Sequence, residues 1–471
     1  MKRFKLLFLT NLCLIIYSPV FGQWQPDYRL TNNDSLSYVS FIVARNIVAE
    51  NEFVHAVWAD DCDSSDYLQI YYARSTDQGL TWEPATHLAD DTTVSFEPAM
   101  VAADGYVHVV WTALHDSINL GLYYKRSPDN GATWSNDRLL TTTGLYEYAS
   151  PCLAVDGQTL HLVWTDFRGF PLRVYYKRSP DLGFSWGPDI VISTSDSNAA
   201  YGSICAVDSV VHLAWAGFFP GERAELFYRR STNDGLTWEP SIQLTSGTVA
   251  ATLINPQVAV VGALVHITCI HRPVDKYEAV YVRSPDRGQS WGEPTRLFST
   301  PGEHVGRTTV AADGNNVHAA THLFEDSINW IYYRNSTDGG LNWGQSVRLS
   351  DSGSADYVSI ALCSSAVHLL WRDNRDGNYE IYYKRNPTGN IGIDESSLSQ
   401  TAYPKPGPTI ISDVLNLQSV IHNLKSEIAL LDITGRKVTD LKPGVNDIRH
   451  LAPGVYFLRL GAKYKKFLLV K

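Results

Sequence analysis

The chain has 471 residues, 44% hydrophobic and 12% aromatic with 13 tryptophans, and it carries 39 Lys+Arg against 49 Asp+Glu, a net charge of −10. The imbalance lies in the body: residues 23–389 hold 25 Lys+Arg against 42 Asp+Glu, whereas residues 390–471 hold 11 against 7. So acidic a body excludes nucleic acid and anionic membrane as partners of the general surface, and no run after residue 22 has the apolar length that a membrane span requires.

Residues 1–22 read as a signal peptide. Lys2, Arg3 and Lys5 form a basic start, "LLFLTNLCLIIYSPV" an apolar middle, and Val20-Phe21-Gly22 a small-residue exit. The mature chain is therefore expected outside the cytoplasm. Five cysteines remain after Cys13 leaves: Cys62, Cys152, Cys205, Cys269 and Cys363. Their odd number and irregular spacing argue for buried free thiols over a disulfide framework or a zinc site, and no metal or cofactor is expected.

Next comes "WQPDYRL" (Trp24–Leu30), a strand-like run without partners of its own. From residue 54 the chain repeats. "RSTDQGLTW" ends at Trp82, and close copies end at Trp134, Trp186, Trp238, Trp291 and Trp343, spaced by 52, 52, 52, 53 and 52 residues. A second signature keeps the same step: His55, His108, His161, His212, His266, His318 and His368 each follow a Val or Leu in a β-rich run. A period of this size marks a propeller or solenoid. Within one unit, "PAMVAADGYVHVVW" (Pro98–Trp111) is two strands joined at Asp104-Gly105, "LYYKRS" (Leu122–Ser127) a third and "WSNDRLL" (Trp134–Leu140) a fourth. Four short strands repeated seven times predict an all-β, seven-bladed β-propeller. The seventh unit lacks its fourth strand, running instead into "NPTGNIG". Trp24–Leu30, with the same Trp-to-Leu spacing as Trp82/Leu88, is expected to supply it and to close the ring without an open edge.

The repeated S-x-D-x-G-x-[TS]-W pattern resembles the Asp-box of the sialidase-like (BNR) propeller superfamily over nearly all of residues 24–389. Ser75, Asp77, Gly79 and Trp82 match in the first box; Ser127, Asp129, Gly131 and Trp134 in the second; Ser179, Asp181, Gly183 and Trp186 in the third. The fourth departs with Asn233, and the seventh, "KRNPTGN", is degenerate. Six copies suit a structural brace rather than six catalytic sites. The Ser and Asp oxygens accept backbone N–H groups, Gly supplies positive φ, and Trp covers the hairpin. One histidine per blade is likewise read as packing, since the seven stand too far apart to share an ion. The resemblance implies boxes at the rim, away from any active site.

Chemistry is expected on the opposite face, among the second-to-third strand loops and the blade connections, which vary as functional loops do. The candidates there are Asp166, Arg168, Arg272, Arg307, Arg372, Asp373, Arg375 and Tyr148, with Asp60, Arg223, Tyr38, Phe96, Tyr201 and Tyr357 nearby. Arginine forks bind carboxylates and aromatic rings stack on sugars. Sialidases carry an Arg-Ile-Pro and six blades; this chain has no Arg-Ile-Pro and seven units, so no catalytic residue carries over. The acidic run Asp60–Asp66 lacks the Gly and closing Glu of a known calcium loop.

A Pro/Gly/Ser-rich linker follows the propeller (residues 23–387) at 388–402. Beyond it, short alternating strands suit a small Ig-like sandwich. Residues 403–471 resemble the C-terminal sorting domain of the type IX secretion system: "YPKP" stands for the usual Tyr-Pro-Asn-Pro, and "LLDITGRKV", "LAPGVYFLRL" and "KKFLLVK" follow in the family order. That resemblance implies passage across an outer membrane by the type IX machinery. Together these readings predict a secreted or surface-attached propeller that binds a glycan or a cell-surface protein. The alternative is a sialidase-like glycoside hydrolase.

Overall fold

A computed structural model of the chain describes residues 24–388 except 41–44, 62–67, 90–93, 115–119, 144–148, 167, 170, 194–197, 221–222, 246–250, 274–276, 299–303 and 364–365. Of the C-terminal part it describes residues 410–411, 414–416, 428–431, 436–441, 445–447, 451, 454–460 and 463–469. The signal peptide, linker residues 389–402 and most of the acidic run 60–66 lie outside the described residues.

Every regular element among the described residues is a strand, and residues 24–388 form seven antiparallel sheets, one per repeat. The expected hairpin at Asp104-Gly105 is present: Ala103 pairs with Tyr106, and both turn residues have positive φ, as a two-residue turn on twisted strands requires. The second blade runs Ser95–Ala103, Tyr106–Leu114, Leu120–Ser127 and Arg138–Thr143 from the inside outward. Its outer strand starts four residues after Trp134, whose ring packs instead against Tyr72 of the preceding blade. The first blade differs, since its inner edge is made of two pieces, Ser37–Tyr38 and Ile47–Glu50, both paired with Phe53–Asp60.

The ring closes at the terminal strand. Tyr28 pairs with Tyr383 and Arg29 with Tyr382, flanked by bonds from Gln25 N–H to Arg385 O and from Leu30 N–H to Ile381 O, both 2.8 Å. Charge holds it too. Asp27 accepts Lys384 and Arg375 at 2.6 Å each. In the third blade Asp189 takes the same place, accepting Lys177 at 2.8 Å and Arg168 at 2.9 Å.

The boxes form as their residue types dictate. In the first, Ser75 Oγ accepts the Gly79 N–H at 2.8 Å and donates to Asp77 Oδ1 at 2.7 Å; Asp77 accepts the Thr81 N–H and hydroxyl at 2.8 and 2.6 Å. Each box also leans on its neighbour. Trp134 stands edge-on to Tyr72 of the preceding blade with centroids 4.9 Å apart; Trp186 meets Tyr124, Trp238 Tyr176, Trp291 Tyr228, Trp343 Tyr281, Trp24 Tyr333 and Trp82 Tyr383. Seven contacts thus run unbroken around the ring. Each of these tyrosine hydroxyls bonds the Nδ1 of its own blade's repeated histidine at 2.5–2.8 Å. Burial pushes His55, His108, His212 and His368 down to about 3, and His266 and His318 to about 4. Between boxes, Arg74, Arg126, Arg178 and Arg283 donate to backbone carbonyls of the following box, which explains the recurrent arginine before the serine.

Cys152, Cys269 and Cys363 are buried and Cys205 is half-buried, and none of these four is in a disulfide. The C-terminal unit is described by itself. Its strands form one five-stranded sheet, including Ile428–Leu431, Gly454–Leu460 and Lys463–Leu469, and one two-stranded pair, Val414–Asn416 with Val445–Asp447.

Candidate functional site

Inner and second strands join on the box face, so the inner strands begin on the opposite face, around the mouth of the central channel. There the backbone departs from a regular strand. The pairing of inner and second strands slips between Phe96 and Ala99, Ala200 and Ser203, Ile254 and Gln257, Val305 and Thr308, and Asp356 and Ser359. Within these bulges Glu97, Tyr201, Asn255 and Tyr357 have φ between 53° and 62°, and Ser150, just before the unbulged inner strand of the third blade, has φ of 47°. A non-glycine residue held there costs on the order of 1 kcal/mol or more, and bulges of this kind re-aim side chains next to sites. The sixth blade puts Gly306 at the equivalent position, where a Cβ would meet the His322 ring.

The bulge of the seventh blade gathers the densest cluster. Asp356 lies directly opposite Arg372 across the strand pair, and the two form a forked ion pair at 2.6 and 3.2 Å. Three tyrosine rings face the Arg372 guanidinium: Tyr379 at 4.2 Å, Tyr357 at 4.8 Å and Tyr38 at 5.7 Å. Such contacts favour a cation on the ring face. His322 stands edge-on to Tyr357 at 5.5 Å and accepts the Tyr357 N–H through Nδ1 at 3.2 Å. Arg307 is buried behind them and donates to the backbone carbonyls of Ser40, Tyr357 and Val358.

Burial sets the charge states. It raises the Asp356 carboxyl above its ordinary value, outweighing the opposing Arg372. Burial, then the Arg307 and Arg372 charges, push His322 down to about 3, so its ring is neutral. Burial lowers Arg307 to about 10, against the raising influence of Tyr357, Glu97 and Asp356. Across the mouth the fourth blade offers a second aromatic group, Tyr201 edge-on to Phe218 at 5.9 Å.

The other sequence candidates go elsewhere. Asp166 accepts the Trp164 indole N–H and the Arg168 backbone N–H, each at 2.8 Å, and pairs with the Arg168 guanidinium at 2.8 Å. Asp373 repeats this with Trp371 at 3.3 Å, the Arg375 N–H at 3.0 Å and its guanidinium at 2.6 Å. Asp60 accepts the Trp58 indole at 3.2 Å and the Ser37 hydroxyl at 2.6 Å. Asp166 and Asp373 thus tie the second strand's end to its following loop, whereas Asp60 ties it to the inner-edge piece at Ser37. The Arg223 and Arg272 side chains and all of Tyr148 lie outside the described residues. The structure therefore brings Arg307 and Arg372 together with Tyr38 and Tyr357, and adds Asp356, His322, Tyr379 and Glu97, which sequence reasoning missed. For Asp356 a signal existed: it neighbours Tyr357 and sits at the register position facing Arg372, as opposite charges across a strand pair do.

Residues 53–267 match the family described as BNR repeat-like domain. No curated protein matches the chain in sequence. Among solved structures, an ulvan lyase bound to a saccharide of GlcA and sulfated rhamnose is similar at a TM-score of 0.54 and 12% identity, over 75% of this chain and 94% of that one. A second polysaccharide lyase is similar at 0.51 and 12%, over 78% and 100%. A Hadza microbial sialidase stands at 0.43 and 16%, over 70% and 75%. The two lyases share the propeller fold with this chain.

Proposed function

We propose that this chain is an exported or surface-attached Asp-box propeller that binds an acidic glycan on the loop face, at the mouth of its central channel. The observation that carries the reading is the setting of Arg372, whose guanidinium is held flat by Asp356 and ringed by Tyr38, Tyr357 and Tyr379. Half-buried tyrosine rings offer apolar faces for a sugar ring, and the fixed guanidinium, whose fork is held by Asp356, offers its positive charge to a nearby carboxylate or sulfate. The fold is shared with a lyase whose bound saccharide contains GlcA and sulfated rhamnose. Export rests on the signal-like residues 1–22 and on the resemblance of residues 403–471 to a type IX sorting domain.

A second reading, a sialidase-like glycoside hydrolase, has one observation in its favour: Asp356 is held above the usual carboxyl range in the same mouth, as a proton donor to a leaving group must be. One experiment separates them. The full chain is applied to a panel of uronate-rich, sulfated, sialylated and neutral glycans and scored for retention, new reducing ends and the ultraviolet absorbance of unsaturated products. Binding alone gives salt-sensitive retention of the acidic members, lowered about tenfold by Tyr379→Ala, the size expected when one aromatic contact is lost, with an unchanged melting curve. New reducing ends that vanish in Asp356→Asn establish the hydrolase instead. Retention of no glycan, or retention indifferent to Tyr379→Ala, overturns the site.

A further inference from the structure

Below the mouth, the channel contains a cavity of about 270 Å³ lined by residues of all seven inner strands. Its lining is largely Ala, Val, Ile and Leu; the polar side chains are Arg45, Cys205, Gln257 and Thr309. Every sheet turns its inner edge toward the axis, so backbone N–H and C=O groups without a neighbouring strand also face this space.

Among the described residues Arg45 is the single charge lining the cavity. Its side chain starts from the first blade and crosses to the far side of the ring, where Nη2 donates to the carbonyls of Ile204 at 3.1 Å and Val258 at 3.3 Å. The thiols of Cys152 and Cys205 lie beside the guanidinium. Burial pushes the Cys205 thiol up, so it brings no negative charge. Among the described residues no carboxylate lines the cavity or pairs with Arg45. The contrast with the mouth is sharp, for Arg307 and Arg372 there stand beside Glu97 and Asp356. The Arg45 side chain is half-buried in the channel wall, and two carbonyls on one nitrogen leave its positive charge without a counter-charge facing the cavity.

We propose that the central cavity is a small-anion site, in which a halide or a carboxylate sits against the guanidinium nitrogens that the carbonyls leave. Backbone N–H groups of the inner edges complete its shell. The apolar walls keep the surrounding dielectric low and strengthen the attraction. The site is separate from the glycan mouth and does not depend on that reading.

The probe is sodium bromide on the full chain. Crystals grown without halide are soaked in bromide and measured at the bromine absorption edge, and thermal melts follow a bromide titration for the wild type and Arg45→Gln. The expected result is an anomalous peak beside Arg45 and a melting temperature that rises saturably by several degrees, as a ligand bound only by the folded state requires. In Arg45→Gln the peak and the saturable rise are lost, the remaining slope being general salt effect. Loss of the peak on adding acetate or glucuronate assigns the site to carboxylates; its persistence assigns it to inorganic anions. No peak beside Arg45, or a peak without any saturable shift in solution, overturns the proposal. Should Arg45→Gln not fold, the wild-type peak and titration still decide.

Discussion

The box rim and the channel mouth are built from the same seven repeats, and they treat repetition oppositely. At the rim both backbone and side chains recur: a serine–aspartate pair within each box, a histidine–tyrosine pair within each blade, and a tryptophan set against the tyrosine of the preceding blade. At the mouth only the backbone recurs. Nearly the same left-handed kink is occupied by Glu97, Ser150, Tyr201, Asn255 and Tyr357 in turn. A rim position answers to its neighbours around the ring, so only a change that keeps those contacts, such as Asn233 in the fourth box, is accommodated. A mouth position has no such repeated contact, and its residue differs from blade to blade.

The largest test of this difference is acid. Six rim histidines are neutral in the fold at about 3–4 but titrate near 6.5 when unfolded. The unfolded chain therefore binds more protons as pH falls below 6.5, and stability drops until the folded values are reached. At pH 5 each histidine costs about 2 kcal/mol, together on the order of 12, comparable to the whole stability of an ordinary domain. Circular dichroism should show cooperative unfolding between pH 6 and 4. A native spectrum and melting curve kept down to pH 4 would show that the latches do not depend on neutral imidazoles.

Next in size is equivalence around the ring. Trp24 and Trp186 each stand edge-on to a tyrosine of the preceding blade, at 4.9 and 5.3 Å, so Trp24→Ala and Trp186→Ala should each cost roughly 3–5 kcal/mol. Denaturant titration of both variants checks this. A much smaller loss for Trp24→Ala would make the terminal strand a loose cover rather than a blade.

Smaller, and opposite in sign, is the mouth. Asn255 is half-buried with φ of 54°; Asn255→Gly removes the strain and should raise stability by up to about 1 kcal/mol. A lower melting temperature would mean that the amide, not the kink, holds the bulge. Smallest is Asp129→Asn, expected within about 0.5 kcal/mol of wild type. Asn233 already plays the part in the fourth box, accepting the Thr237 N–H at 2.9 Å and donating to its hydroxyl at 2.8 Å. A large loss of stability on calorimetry would show that the charge itself matters at the rim.

The same contrast governs what could be read from the sequence. The blade count, the boxes and the closing role of Trp24–Leu30 are legible because the rim writes one residue pattern at one spacing. The mouth has no such script. Its kinks fall on Glu, Ser, Tyr, Asn and Tyr, none of which advertises positive φ as glycine does. Arg372 could be placed on the right face from its loop, but its partners come from residues 38, 356, 357 and 379, which only the register of the seventh blade and closure onto the first bring together. Asp166 and Asp373 look like open carboxylates in sequence; each is instead occupied by an indole and an arginine nearby in the chain.

The pairing of Tyr28 with Tyr383 also has a consequence in time. One side of this joint is made some 350 residues before the other, so the ring cannot lock until almost the whole propeller exists. A chain cut short within the seventh blade would present unpaired strand edges at both sides of the gap, the surfaces on which proteins aggregate. The clasp thus works as a proof of completeness. Long-range closure of this kind also slows folding.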